Sequence, residues 1–179
     1  MTKAKSIIQR GSCSPEEAAA LFDALEPVDT AFMLGSWRGA GLSTGHPMDG
    51  YLETFGWYGK RFDSTEKVHP LVFRAPGGAL KTLEPQRVFA GMALMRFPSV
   101  AKSAAVGKGF GMAMGLLATR RPAARLRVTR YRDQTTATMI YDRLPINDSF
   151  VRVDEDTVLG VMDLRGMRAP FWFSLQRDG

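Results

Sequence analysis

"LGSWRGAGLSTGHP", residues 34–47, sets Trp37 between Gly35 and Gly39 and follows it with Gly41 and Gly45. Glycine weakens a strand's order and packing. Four glycines beside the bulkiest side chain therefore mark close backbone approach or sharp bending. The stretch reads as the closing corner of a small β-barrel with an apolar pocket inside.

The neighbouring sequence has the same texture. "GYLETFGWYGKRF" and "VHPLVFRA" are aromatic-rich and glycine-broken, Pro76-Gly77-Gly78 marks a loop, and "QRVFAGMALMRF" reads as a further strand. In the second half, "RLRVTRYR" and "TTATMIYD" form a hairpin about Asp133-Gln134, and "FVRVDEDTVLGVMD" forms another about Asp154-Glu155-Asp156. "APFWFSLQR" closes the chain with Phe171, Phe173 and Leu175 on one face. Roughly 8–10 short strands with turns between neighbours predict an antiparallel barrel. Ahead of them, "SPEEAAALFDALEP" (14–27) predicts a helix, with a Ser14–Glu17 capping box and an apolar stripe of Ala18, Leu21, Phe22 and Leu25. Residues 98–122, small and apolar with Gly107, Gly111 and Gly115 four apart, read as a helical insert across the barrel mouth. The chain thus divides into an N-terminal helix (1–29) and one barrel domain (30–178), made of 30–97, the insert 98–122, and 123–178.

At 179 residues, 45% of them hydrophobic and 23% charged, the chain has the composition of a globular domain with a real core. One cysteine, Cys13, leaves no internal disulfide framework, and the N-terminus has no secretory apolar run, so a cytoplasmic location is expected. The net charge of +6 comes largely from six arginines between Arg120 and Arg132. On an alternating strand these form a solvated face rather than a nucleic-acid site. The least polar run of the insert, 106–118, is too short to span a bilayer but leaves peripheral membrane contact open.

Familiar chemistry is excluded motif by motif. His46 and His69 are the only histidines and lie outside any zinc spacing, so no metal is expected. The glycines of "GAGLSTG" miss the dinucleotide pattern, a Walker A loop and a nucleophile elbow are absent, and no cofactor is expected. Polar residues among aromatics remain: His46, Asp49, Glu53, Tyr58, Lys60, Asp142, Asp148 and Asp163. Buried against rings, a carboxyl or imidazole would be tuned for acid–base work; at a turn it would be a cap.

The string "GSWRG" with "GHPMDGYLETFGWYGKRF" and "VHPLVF" resembles the bacterial family named for its G-x-W-x-G motif. "MIYDRLPINDSFVRVDEDTVLGVMDLRG" resembles the domain of unknown function that follows it. The motif is also similar to the opening strand of lipocalins, fatty-acid-binding proteins and nitrobindins. That resemblance implies a calycin-like barrel with Trp37, between Gly35 and Gly39, packed across one closed end, its N–H on a backbone carbonyl. With no histidine after His69, a late-strand haem ligand has no counterpart.

Two function classes fit. One is a binding protein for a lipid- or terpenoid-like molecule, walled by Phe55, Trp57, Tyr58, Phe62, Phe73, Met92, Met139, Tyr141 and Phe173, with His46, Lys60 and Asp142 as polar anchors. The other is an isomerase, cyclase or hydrolase in the same cavity, with His46 or Asp142 as acid or base and Tyr58 and Lys60 orienting or stabilising charge.

Overall fold

The computed structural model describes residues 2–94 and 104–179, without the side chains of 92–94, 104 and 105. The described helices are α1 (Lys3–Arg10), α2 (Pro15–Ala24), α3 (Tyr51–Phe55), α4 (Pro85–Leu94) and α5 (Ala104–Leu117). The strands are β1 (Glu26–Pro27), β2 (Gly35–Gly41), β3 (Trp57–Ser64), β4 (Lys67–Arg74), β5 (Leu80–Thr82), β6 (Ala124–Tyr131), β7 (Gln134–Tyr141), β8 (Ile146–Arg152), β9 (Thr157–Leu164) and β10 (Phe171–Arg177).

Eight of these strands close a ring in the order β2-β3-β4-β6-β7-β8-β9-β10, and β10 pairs antiparallel with β2 to seal it. Each neighbour in the ring is the next long strand in the chain, so the barrel is an up-and-down meander. Closure removes the exposed edges an open sheet would present. Eight strands enclose an interior that side chains can fill, or one small ligand can share. The thinnest seam is β4–β6, registered only at Val68↔Ala124 and bonded further by Ala123 N–H to Val68 O and Leu126 N–H to Thr65 O. There the chain leaves the ring for β5, α4 and α5.

Strand alternation assigns the two faces. Phe171, Phe173 and Leu175 point inward, joining Phe62, Met139 and Phe150 in the barrel core, as the period-2 reading predicts. Trp172 points outward, and α1 and α2 cover it with Ile7, Leu21 and Phe22. Ser14 and Glu17 form the predicted capping box, the Ser14 hydroxyl accepting from Glu17 N–H and the Glu17 carboxylate from Ser14 N–H. The helix stops earlier than predicted because Leu25 turns extended and Glu26–Pro27 pair with the end of β8. Bidentate bonds from Arg132 to the Asp23 carboxylate, 2.6 Å each, tie α2 to the β6–β7 hairpin.

Three local readings are corrected. "YLETF" is the short helix α3 rather than the start of a strand, bracketed by Gly50 and Gly56 at φ 83° and 70°. "QRVFAGMAL" is α4: its apolar residues Val88, Phe89 and Met92 recur at helical spacing, and Val88 N–H bonds back to Glu84 O. The β6–β7 turn is Arg132–Asp133, one residue earlier than read, because Gln134 joins the ladder opposite Tyr131 and its amide donates to Asp23 O and Leu25 O. Of the expected insert, residues 104–117 are α5; residues 98–103 lie outside the described residues. Among the described residues no helix is long and apolar enough to cross a membrane.

The opening stretch resolves around Trp37, which is fully buried and donates its indole N–H to Met33 O at 2.8 Å. The Arg177 guanidinium lies 4.3 Å from the centre of its ring and donates to Phe32 O and Leu34 O, fastening the end of β10 to the segment that leads into β2. Two further close approaches nearby require glycine. A Cβ on Gly59, at φ 153°, would stand 1.9 Å from Trp37 O, and one on Gly39 would stand 2.1 Å from the Trp57 ring. Gly39 thus seats Trp57 rather than Trp37.

Candidate functional site

An apolar cavity of about 60 Å³ lies inside the barrel. Its wall is built from α3 (Tyr51, Leu52, Phe55), α4 (Val88, Phe89) and inward-facing strand residues including Leu71, Phe73, Met162, Phe171 and Phe173. Phe110 and Met114 of α5 back the α3 and α4 residues, Phe110 standing 4.9 Å from Phe55 and 5.4 Å from Phe73 between ring centres.

The polar side chains of this wall are Trp57, Lys60, Tyr141 and Asp148, together with Tyr51. Lys60 Nζ stands 2.8 Å from Asp148 Oδ2, the two side chains 4% and 1% exposed, and donates also to Pro70 O at 3.3 Å. Three rings surround the ammonium, with centroids at 5.0 Å (Phe173), 5.5 Å (Trp57) and 5.9 Å (Tyr141). Their electron-rich faces stabilise a desolvated cation. Burial pushes the Asp148 carboxyl up, against the pull of Lys60. Burial and the Asp148 charge together hold the Tyr141 phenol well above its ordinary value, so it stays protonated. Among the described residues, Asp148 Oδ1 and Trp57 Nε1 are buried without a hydrogen-bond partner. Native interiors leave few such atoms unpaired.

The strands place these groups. Asp148 occupies the inward phase of β8 between Ile146 and Phe150, and pairs across to Met139 on β7 and Met162 on β9. Lys60 comes from β3, on the opposite run of the ring, so the pair spans the barrel interior.

Of the residues predicted from sequence, Phe55, Trp57, Lys60, Phe73, Tyr141 and Phe173 line the cavity together. Phe62 and Met139 are buried in the core beside it. Met92 lies on α4, a helix where a strand was expected, and its side chain is outside the described residues. Tyr58 is directed away, its hydroxyl donating to Asp178 and its ring under Arg74. Asp142 is exposed, 4.0 Å from Arg125, in a surface cleft with Glu84, Gln86 and Arg121.

His46 stands one layer behind the wall, its ring against Phe171. Met48 N–H donates to its Nδ1, which assigns the proton to Nε2, 3.1 Å from Met167 Sδ. Burial lowers its pKa. Asp49 caps the same turn, accepting from Thr44 N–H and His46 N–H. The site residue missing from the sequence-derived anchors is Asp148. Its signal was the period-2 pattern Ile146-x-Asp148-x-Phe150, a carboxylate at an inward strand position.

Residues 20–78 match the family model described as GXWXG protein, and residues 122–177 match a domain of unknown function (DUF4334). No curated protein matches the chain. A crystal structure of a protein from Thermomonospora curvata is similar over 99% of this chain and 97% of its own, at 32% identity and a TM-score of 0.74. The two matched segments are complementary arcs of one ring, β2–β4 in the first and β6–β10 in the second, and the Lys60–Asp148 pair joins them. The chain thus carries a GXWXG protein segment and a DUF4334 segment, and the two together close a single barrel.

Proposed function

We propose that this protein binds a compact hydrophobic small molecule inside its barrel. The observation that carries the reading is the cavity: aromatic and aliphatic walls around a few convergent polar groups, the general form of a small-molecule site. At about 60 Å³ it is smaller than the roughly 150 Å³ in which an engineered apolar cavity holds benzene, so a ring-sized guest, and still more a longer lipid- or terpenoid-like molecule, requires the α3 and α4 side chains to yield. Helix α5, packed over that wall, is the element whose displacement would open it.

Native mass spectrometry of gently purified protein, with solvent extraction of the same sample, tests this. The expected result is an apolar mass that leaves on denaturation, or a rise in melting temperature with compact apolar compounds. A protein that carries no guest and is not stabilised by any such compound overturns the reading.

The buried Lys60–Asp148 pair favours a second reading, acid–base chemistry on a hydrophobic substrate in the same cavity. Turnover of an extracted guest that is lost in Lys60→Met while the guest still binds would select it.

A further inference from the structure

We infer that the guest is an uncharged molecule bearing a hydroxyl group, an alcohol or a phenol on a compact apolar body. This rests on the cavity reading above and names the class of ligand.

The charge in the cavity is already balanced. Lys60 Nζ is taken up by Asp148 Oδ2 at 2.8 Å, by Pro70 O and by three ring faces. Among the described residues, a carboxylate guest would find no free cation there, and an amine would have to share the negative charge of Asp148 with Lys60. Either would bury an uncompensated charge, which protein interiors strongly disfavour. The guest is therefore neutral.

The unused hydrogen-bonding capacity is complementary. Asp148 Oδ1 offers an acceptor and Trp57 Nε1 offers a donor, each on a side chain of the cavity wall and each buried without a partner among the described residues. The Trp57 ring is held in place because the six-membered edge of its indole lies over Gly39, where no side chain competes. A hydrocarbon would satisfy neither atom. A ketone or ether would satisfy only the indole N–H. A hydroxyl both donates and accepts, so it is the smallest neutral group that serves both, whether it meets them directly or engages one and leaves the other to a bridging water. Sites with polar groups that a ligand leaves unpaired discriminate sharply against that ligand.

Phenol, toluene and benzoate share one ring and differ in this group alone. Titration calorimetry and ligand-detected NMR on the full chain compare them at pH 7, where phenol is neutral. Phenol is expected to bind at least roughly tenfold more tightly than toluene, and benzoate more weakly than either. In Trp57→Phe, which keeps an aromatic ring at this position but lacks the N–H, phenol should lose roughly tenfold more than toluene does. An unaltered melting curve for that variant establishes that it folds. Toluene binding as tightly as phenol, or both falling equally in Trp57→Phe, overturns the hydroxyl assignment and leaves the cavity reading intact. Benzoate binding the tightest overturns the neutral-guest argument, since the pair would then open to give up Lys60. If none of the three binds and no apolar guest is found by extraction, the cavity reading falls with it.

Discussion

Replacing Lys60 by methionine removes the cation from a pair that is nearly sealed from water, the two side chains being 4% and 1% exposed. At neutral pH, Asp148 would then stand as a lone buried carboxylate. Breaking one side of a buried pair costs about 3–5 kcal/mol. A second route gives the same size. Asp148 can escape by taking up a proton, and holding a carboxyl of ordinary pKa 3.8 protonated at pH 7 costs about 4 kcal/mol. The two routes make the loss pH-dependent with a definite sign. In the variant the folded-state pKa of Asp148 lies still further above its unfolded value, so the penalty is absent below about pH 3.8. It then grows by about 1.4 kcal/mol per unit as pH rises toward the folded pKa. Lys60→Met should therefore lose about 3–5 kcal/mol at pH 7 and much less near pH 4. The double variant Lys60→Met/Asp148→Leu removes both charges and should return to within about 1 kcal/mol of the parent or exceed it. Urea unfolding followed by tryptophan fluorescence, arranged as a double-mutant cycle, measures all three. A single variant within about 1 kcal/mol of the parent at every pH would mean the pair behaves as an exposed one, and the burial argument for it would be refuted.

Trp37→Ala should lose about 3–5 kcal/mol of stability, because it vacates a fully buried site, orphans Met33 O and removes the ring on which Arg177 stacks. A thermal melt within a few degrees of the parent would contradict that role. Burial depresses the pKa of both His46 and His69. The unfolded chain therefore takes up protons near pH 6.5 before the folded one does, and this contribution to stability is complete above about pH 6.5 and declines as pH falls through the folded values. Comparing urea midpoints of the parent and the His46→Gln/His69→Gln variant from pH 7.5 to 5.5 isolates it; the parent should lose ground on acidification relative to the variant.

The residues that line the site were half legible. Trp57, Phe73, Tyr141 and Phe173 are readable as wall candidates because an aromatic on a barrel strand has about even odds of facing inward, whereas Phe55 reaches the wall from α3 and Lys60 as a polar group among the rings. Their strand phase shifts at irregularities, and β3 slips register between Trp57 and Gly59 and again between Gly59 and Arg61. That is how Trp57 and Lys60, three residues apart, both reach the cavity, while Tyr58 is bonded to Asp178 on the other side. The sequence of α4 satisfies either period because its residues 88–94 form a continuous apolar run of seven, and only its place in the excursion that leaves the ring at the β4–β6 seam leaves it without strand partners.

Sequence alone determined what depends on local chemistry and alternation: a glycine-bracketed Trp37, a capped helix α2, paired hairpins in the second half and a final strand with Phe171, Phe173 and Leu175 on one side. The tertiary structure alone decided which distant residues meet. Lys60 and Asp148 are 88 positions apart, and Trp37 and Arg177 are 140 apart. Neither meeting is written in any local pattern, because it depends on the shear at which the ring closes. A one-residue change in that stagger would turn every inward side chain of a strand outward.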